Sequence, residues 1–329
     1  MEVFFVISGF VIAYTAEGAS PASFLKSRAL RLFPAALICA TLTLIVILAA
    51  RSATLTNGLV QTTPAEAMIM WLKSITFFPR GPWIDPPYWT LPIEVSFYAM
   101  VFLCLLTNRL KWLPSLIVMI GGLSTLWNAA VYFGFLENSD IENRWAEILL
   151  VRHGCDFAIG VLLWRAIFRR WSVIDTLAFF IFLIGGCIEI ASRAAWGKSV
   201  SSFPATQPLI VPIAIWLASV GAIAASGAIH RKVRINSKVV ALIRKIGIIT
   251  YPFYLLHSSI GGVSMKILFD WGLPPLMCAM IALTALTALA GIVSSFLEPL
   301  ARSAMLSLML SAKTMVPERF RLLSETGEK

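Results

Sequence analysis

A few ionisable side chains in this sequence stand where a charge is costly, and they are where chemistry is expected. Glu94 lies in the run Tyr-Trp-Thr-Leu-Pro-Ile-Glu-Val-Ser-Phe-Tyr at 88–98. A carboxylate in such an apolar run must face a wet cavity, pair with a cation or take up a proton. It can orient a substrate hydroxyl or serve an active-site base; as a structural group it would partner an arginine of another helix. Arg152 and His153 fall at a similar depth, and Asp156 follows Arg152 by one helical turn. An Arg152–Asp156 pair at i, i+4 would lower the cost of both charges. His257 closes the run Tyr-Pro-Phe-Tyr-Leu-Leu-His at 251–257. Pro252 is expected to loosen the helix there. A neutral imidazole at that place acts as general base, hydrogen-bond donor or interhelical contact. Arg28 and Arg31 carry guanidinium forks that match phosphate, as for a nucleotide-like donor; the alternative is ordinary anchoring at the membrane face.

Other chemistries have no support. No Gly-rich phosphate loop and no metal-ligand spacing occurs. His153 to Asp156 is the wrong interval for the His-x4-Asp box of soluble acyltransferases. Cys39, Cys104, Cys155, Cys187 and Cys278 stand singly, so neither a zinc site nor a disulfide framework is expected.

The elements that must position these groups are membrane spans. Of 329 residues, 58% are hydrophobic and 13% charged, whereas soluble domains are near 25% charged. Apolar runs at 3–16, 32–50, 89–107, 113–136, 146–168, 173–192, 208–228, 244–268 and 275–297 are each read as a helix crossing the bilayer. Period-2 alternation is not evident, which argues against a β-barrel. The fold class is an all-α, polytopic transmembrane helix bundle, with about nine spans present of an expected ten.

Charge orients the bundle. Of the 27 basic residues, 19 fall in one alternating set of connections, among them Lys26, Arg28 and Arg31, and 6 in the other. That asymmetry puts the C-terminus in the cytoplasm and Met1 outside. One more helix upstream would return the N-terminus to the cytoplasm. Scattered basic residues give no nucleic-acid surface. One membrane domain is expected over 1–316. It includes an outer loop at 51–88 with an interfacial helix, a basic cytoplasmic linker at 229–243, and a cytoplasmic tail at 317–329.

Six segments resemble, in order, the motifs of the acyltransferase-3 family of bacterial membrane O-acyltransferases. Met-Glu-Val-Phe-Phe-Val-Ile-Ser-Gly-Phe at 1–10 is similar to its Val-Phe-Phe-Val-Ile-Ser-Gly-Phe signature. Residues 26–34 resemble its Arg-x-x-Arg-x-x-Pro segment. Trp89, Thr90 and Leu91 with Glu94, Phe97 and Tyr98 resemble its Trp-Thr-Leu-x-x-Glu-x-x-Phe-Tyr motif. Arg152, Phe157 and Gly160 resemble a later Arg…Phe-x-x-Gly pattern, 249–257 resembles Ile-Ser-Tyr-x-x-Tyr-Leu-x-His, and Phe-Leu-Glu-Pro at 296–299 resembles a closing Glu-x-Pro element. The family carries an Arg and a catalytic His on an earlier helix, for which this sequence offers no residue.

The resemblance implies transfer of an acyl group, commonly acetyl, from acyl-coenzyme A to a hydroxyl of a cell-surface or exported glycan, with no bound cofactor and no metal. It implies catalytic roles for Glu94, Arg152 and His257. It implies donor phosphates at Arg28 and Arg31, and a cavity lined by Ser8, Trp89, Tyr98 and His153. A glycan or small-solute transporter and a non-catalytic remnant of the family are the alternatives.

Overall fold

A computed structural model describes residues 1–52, 62–136, 143–200, 209–232 and 236–315. Helices make up the fold, and no strand occurs among the described residues. In chain order they are α1 Glu2–Ala16, α2 Pro21–Ser52, α3 Pro64–Ile75, α4 Thr90–Leu106, α5 Leu113–Tyr132, α6 Arg144–Ile148, α7 Gly154–Phe168, α8 Val173–Val200, α9 Ile210–Lys232, α10 Ser237–Leu256, α11 Ser259–Asp270, α12 Pro275–Ile292 and α13 Glu298–Met315. Among the described residues, seven helical stretches are long and apolar enough to cross a membrane. The protein is an all-α polytopic bundle. The expected tail at 317–329 lies outside the described residues, as does part of the expected 229–243 linker.

The chain folds as two compact units. One comprises Met1–Lys26 and Trp89–Ser237; the other comprises Ser27–Tyr88 and the described residues from Lys238 onward.

In the first unit α7 is the central element. Every residue from Gly154 to Trp164 is buried, as expected of a helix that is apolar all round. It packs on α1, α5 and α8. The α1 crossing is backbone to backbone. A Cβ on Gly160 would stand 2.1 Å from the Val6 carbonyl oxygen, and one on Gly9 would stand 2.3 Å from that of Phe157. Membrane helices gain little from burying apolar surface against one another, so small residues and close packing must hold them. Phe5, Phe97 and Phe157 then stack into one aromatic seam, with ring centroids 5.0 Å and 4.4 Å apart.

The expected helix over 146–168 is broken. α6 stops at Ile148, Leu150 takes a left-handed φ of 61°, and α7 begins only at Gly154. The break exposes the Arg152 carbonyl, which accepts hydrogen bonds from Ser124 Oγ at 2.7 Å and Asn128 Nδ2 at 2.9 Å on α5. Polar side chains on a neighbouring helix thus satisfy backbone that lipid cannot.

In the second unit the expected span over 244–268 is broken too. α10 runs through Pro252 to Leu256, and α11 begins at Ser259. The carboxylate of Asp85 accepts the Ser259 N–H at 3.2 Å on each oxygen, which caps α11 as an acidic group at a helix start should. The helix expected within 51–88 is α3, opened by a capping box between Thr63 and Glu66. The irregular stretch after it is tied down. Ser74 Oγ accepts the Ile84 N–H at 2.9 Å, Lys73 Nζ donates to the Gly81 carbonyl at 3.1 Å, and the Tyr88 hydroxyl donates to the Ala36 carbonyl at 2.7 Å. The last helix does not stop at Pro299. A π-turn over Val293–Leu297 widens it, and α13 carries on to Met315.

The crossing of α1 and α7 gives the first test. Gly160→Ala should destabilise the fold by about 3 kcal/mol through overpacking against backbone. Gly122→Ala, where nothing lies within 4 Å of the added carbon, should be neutral or mildly stabilising. Thermal unfolding in detergent reads both; equal melting points would show that the crossing tolerates separation.

Candidate functional site

Glu94 stands on α4 and is 5% exposed. Its Oε1 accepts a hydrogen bond from Ser8 Oγ on α1 at 3.1 Å and another from the Tyr98 hydroxyl one turn along α4. Three residues of the expected site, Ser8, Glu94 and Tyr98, therefore meet on one oxygen.

Arg152 and His153 lie in the turn between α6 and α7 rather than inside a helix. The expected i, i+4 pair with Asp156 does not form. Arg152 Nη1 faces Glu147 Oε1 at 4.0 Å, and Glu147 is held by Arg144 at 2.6 Å. Both oxygens of Asp156 are buried without a hydrogen-bond partner. The reason is the break: with residues 149–153 out of the helix, Arg152 is no longer on the face of α7 that Asp156 occupies.

His153 is fully buried. Its ring lies against Phe5 and Trp89, with centroids 4.8 Å and 5.5 Å away. Nδ1 is 2.6 Å from Glu189 Oε1 on α8, and Nε2 is 3.4 Å from Arg193 Nη2 one turn further on. The Arg193 guanidinium also covers the face of Trp89 at 4.8 Å, a cation–π contact. Trp89 in turn receives Arg144 Nη2 on its carbonyl at 2.8 Å.

Glu147, Glu189 and Arg193 were not among the expected site residues. Glu189 has a signal in the sequence. It follows Phe-Leu-Ile-Gly-Gly-Cys-Ile within the run expected to span at 173–192, and a carboxylate in such a run calls for a partner. Arg193 is one residue beyond that run and reads as an outer-loop charge. Only the extra length of α8 brings it inward.

The remaining site residues belong to the second unit. Arg28 is half-buried and Arg31 exposed on α2. The Arg31 guanidinium lies over the Tyr251 ring at 5.8 Å, and it acts together with Arg302 on the charge of Glu298. His257 sits at the end of α10 with Nδ1 2.7 Å from the Tyr254 carbonyl. A carbonyl only accepts, so Nδ1 carries the proton and a neutral His257 keeps its lone pair on Nε2. The ring stacks near Phe253 and Tyr254, with centroids 6.2 Å and 5.7 Å away. The six motif segments thus divide evenly: those around Gly9, Glu94 and Gly160 in the first unit, and those around Arg28, His257 and Glu298 in the second.

A family model described as an acyltransferase domain, that of acyltransferase-3, matches residues 1–297. The chain belongs to this family. No curated protein and no solved structure matches the chain. Membership makes the protein a membrane acyltransferase, an enzyme that transfers acyl groups other than aminoacyl groups. Within the acyltransferase, the first unit buries the carboxylates of Glu94, Glu147, Asp156 and Glu189 and the imidazole of His153.

One titration can be followed outside the spans. Burial raises Asp85 from 3.8 to about 7, against the opposing effect of the Ser259 hydrogen bonds. The folded state therefore holds a proton that the unfolded chain has lost between about pH 4 and 7. Stability contributed by that proton is present at low pH and falls as pH rises through this window, with a limiting slope of about 1.4 kcal/mol per pH unit. Asp85→Asn keeps an acceptor for Ser259 and should flatten the dependence, as measured by melting temperature in detergent from pH 5 to 7.5. An unchanged slope in the variant would assign the titration to another group.

Proposed function

We propose that this acyltransferase moves an acyl group, acetyl in the simplest case, from acyl-coenzyme A to a hydroxyl of a cell-surface or exported polysaccharide. In this reading it works in a bacterial inner membrane with its C-terminus in the cytoplasm, as the asymmetry of its basic connections favours. The donor is a substrate, and no resident cofactor or metal takes part.

The observation that carries the reading is the convergence of two hydroxyls on Oε1 of a buried glutamate in a family member. A carboxylate oxygen that gathers hydroxyl donors away from water is what an acceptor alcohol requires. Ser8 Oγ marks where such a hydroxyl binds. Hydrogen bonding to Glu94 raises the nucleophilicity of the acceptor oxygen, which attacks the thioester carbonyl carbon. Arg152 supplies positive charge to the oxyanion that develops there, and Trp89 and His153 complete the acceptor side. On the donor side, Arg28 and Arg31 bind the coenzyme phosphates by charge-assisted hydrogen bonds. His257, in the same unit, offers Nε2 as an acceptor.

Radiolabelled acetyl-coenzyme A supplied to membrane vesicles containing the protein and their own glycans should yield base-labile label on polysaccharide. Glu94→Gln should lower that label at least about 100-fold with the amount of inserted protein unchanged. Equal labelling by the variant would remove Glu94 from the reaction. Vesicles that accumulate a solute but form no ester would assign the protein to transport.

A further inference from the structure

The short connection at 107–112 joins α4 to α5. Helices joined this closely usually pack side by side. Here α4 packs on α1 and α6, while α5 packs on α7 and α8. The two splay apart, and the gap between them is an open groove of about 1020 Å³. That is the upper end of the ~300–1,000 Å³ that small-molecule sites occupy. Met100 and Leu103 of α4 form one wall, and Leu116 and Met119 of α5 form the other. Ile148, Leu149 and Leu150 close one end, on the side where Arg144 of α6 reaches the Trp89 carbonyl at the start of α4. Arg109 and Trp112, beyond the last turn of α4, stand at the other.

What fills the groove follows from its surface. Ser96 Oγ donates to the Pro92 carbonyl at 3.0 Å, and Thr107 Oγ1 donates to the Leu103 carbonyl at 2.8 Å. Both hydroxyls are spent on α4 itself, so the walls present mainly carbon. Water needs several polar partners to stay in such a place, and an empty gap forfeits the dispersion contacts of its lining. A hydrocarbon chain meets both conditions. The lining runs along α4 from Ser96 to Thr107, about 16 Å at a rise of about 1.5 Å per residue. That is the depth of one leaflet of a hydrocarbon core ~30 Å thick. The charge at the mouth is of one sign. Arg109 and Lys111 are exposed and make no ion pair among the described residues, and no acidic residue occurs between Glu94 and Glu137. Trp112, 59% exposed, suits the headgroup level.

We propose that the groove between α4 and α5 is a binding site for one anionic phospholipid, with an acyl chain in the groove and the phosphate at Arg109. In the orientation proposed above, the 107–112 connection is cytoplasmic and the lipid belongs to the inner leaflet. The guanidinium fork holds phosphate oxygens by charge-assisted hydrogen bonds, and Lys111 adds a second cation at the same rim. The end of the chain meets Ile148, Leu149 and Leu150, where Leu150 takes its left-handed turn just ahead of Arg152. A bound lipid therefore backs the turn from which Arg152 and His153 project. The site stands apart from the acyl-transfer reading, because no residue of the groove is given a part in that reaction.

The test uses the full chain in phosphatidylcholine nanodiscs doped with phosphatidylglycerol that carries a photoreactive diazirine in one acyl chain. Illumination followed by peptide mass spectrometry should place more label on Leu103 and Met119 than on Leu126 and Leu177, which are just as exposed. A phosphatidylcholine probe with the same chain should label the groove more weakly. Replacing Arg109→Gln and Lys111→Gln together should lower groove labelling by phosphatidylglycerol about fivefold for each cation removed. Ala99→Phe, at an exposed position on the groove wall, should remove the groove label and leave that on Leu177 unchanged. Even labelling of all four positions overturns the proposal and leaves only the ordinary lipid annulus. Equal labelling by the two probes, or by wild type and the doubly substituted chain, overturns the role of Arg109. Disulfide-linked dimers formed by Leu103→Cys, and not by the wild type, would give the groove to a second copy of the chain.

Discussion

Gly9 and Gly160 let the backbones of α1 and α7 touch, and the surroundings of His153 and Glu94 follow from that contact. Ser8 is beside Gly9, and Phe5 is one turn before it. With α1 seated on α7, Ser8 reaches Glu94 and Phe5 reaches both His153 and Phe157. A side chain of even one carbon at either glycine would force the helices apart. The aromatic seam would open, and the carboxylate would lose the hydroxyl that α1 delivers. Two motifs about 150 residues apart in the sequence are thus one structural device.

Charge inside the first unit is arranged on the same logic. An unpaired ion in a low-dielectric interior costs several kcal/mol even after relaxation, more than a helix turn is worth. The structure gives up a turn at 149–153 and gains by it. The freed carbonyl is satisfied by Ser124 and Asn128, Arg152 and Arg144 face Glu147, and His153 is set against Glu189. Asp156 keeps no hydrogen bond in this arrangement, and it marks where the compensation is incomplete.

The spans are largely legible in the sequence because their signal is local: apolar length, with basic residues between. Glu94 is legible for the same reason, as a charge in an apolar run. What is not legible depends on which helices touch. Period and propensity treat 146–168 as one helix, and neither detects a left-handed Leu150 whose break is favoured by polar side chains on α5. Arg193 reads as an exposed charge because its neighbours in sequence are polar, whereas its partners, Trp89 and His153, come from other helices. His257 is legible as a polar residue in an apolar run, but its tautomer depends on the carbonyl left open where α10 ends. Pro252 is the obvious breaker in that run, yet the helix passes through it and stops where Asp85 caps the next one.

The segment from 76 to 88 is irregular but is not slack. Its backbone and side chains are moored at Gly81, Ile84, Asp85 and Tyr88 to three different helices of its own unit. Ordering a free stretch of chain consumes roughly 1–2 kcal/mol of conformational entropy per residue. Here that loss is incurred during folding. The stretch is therefore shaped by its own unit, with little of that ordering cost left to meet later.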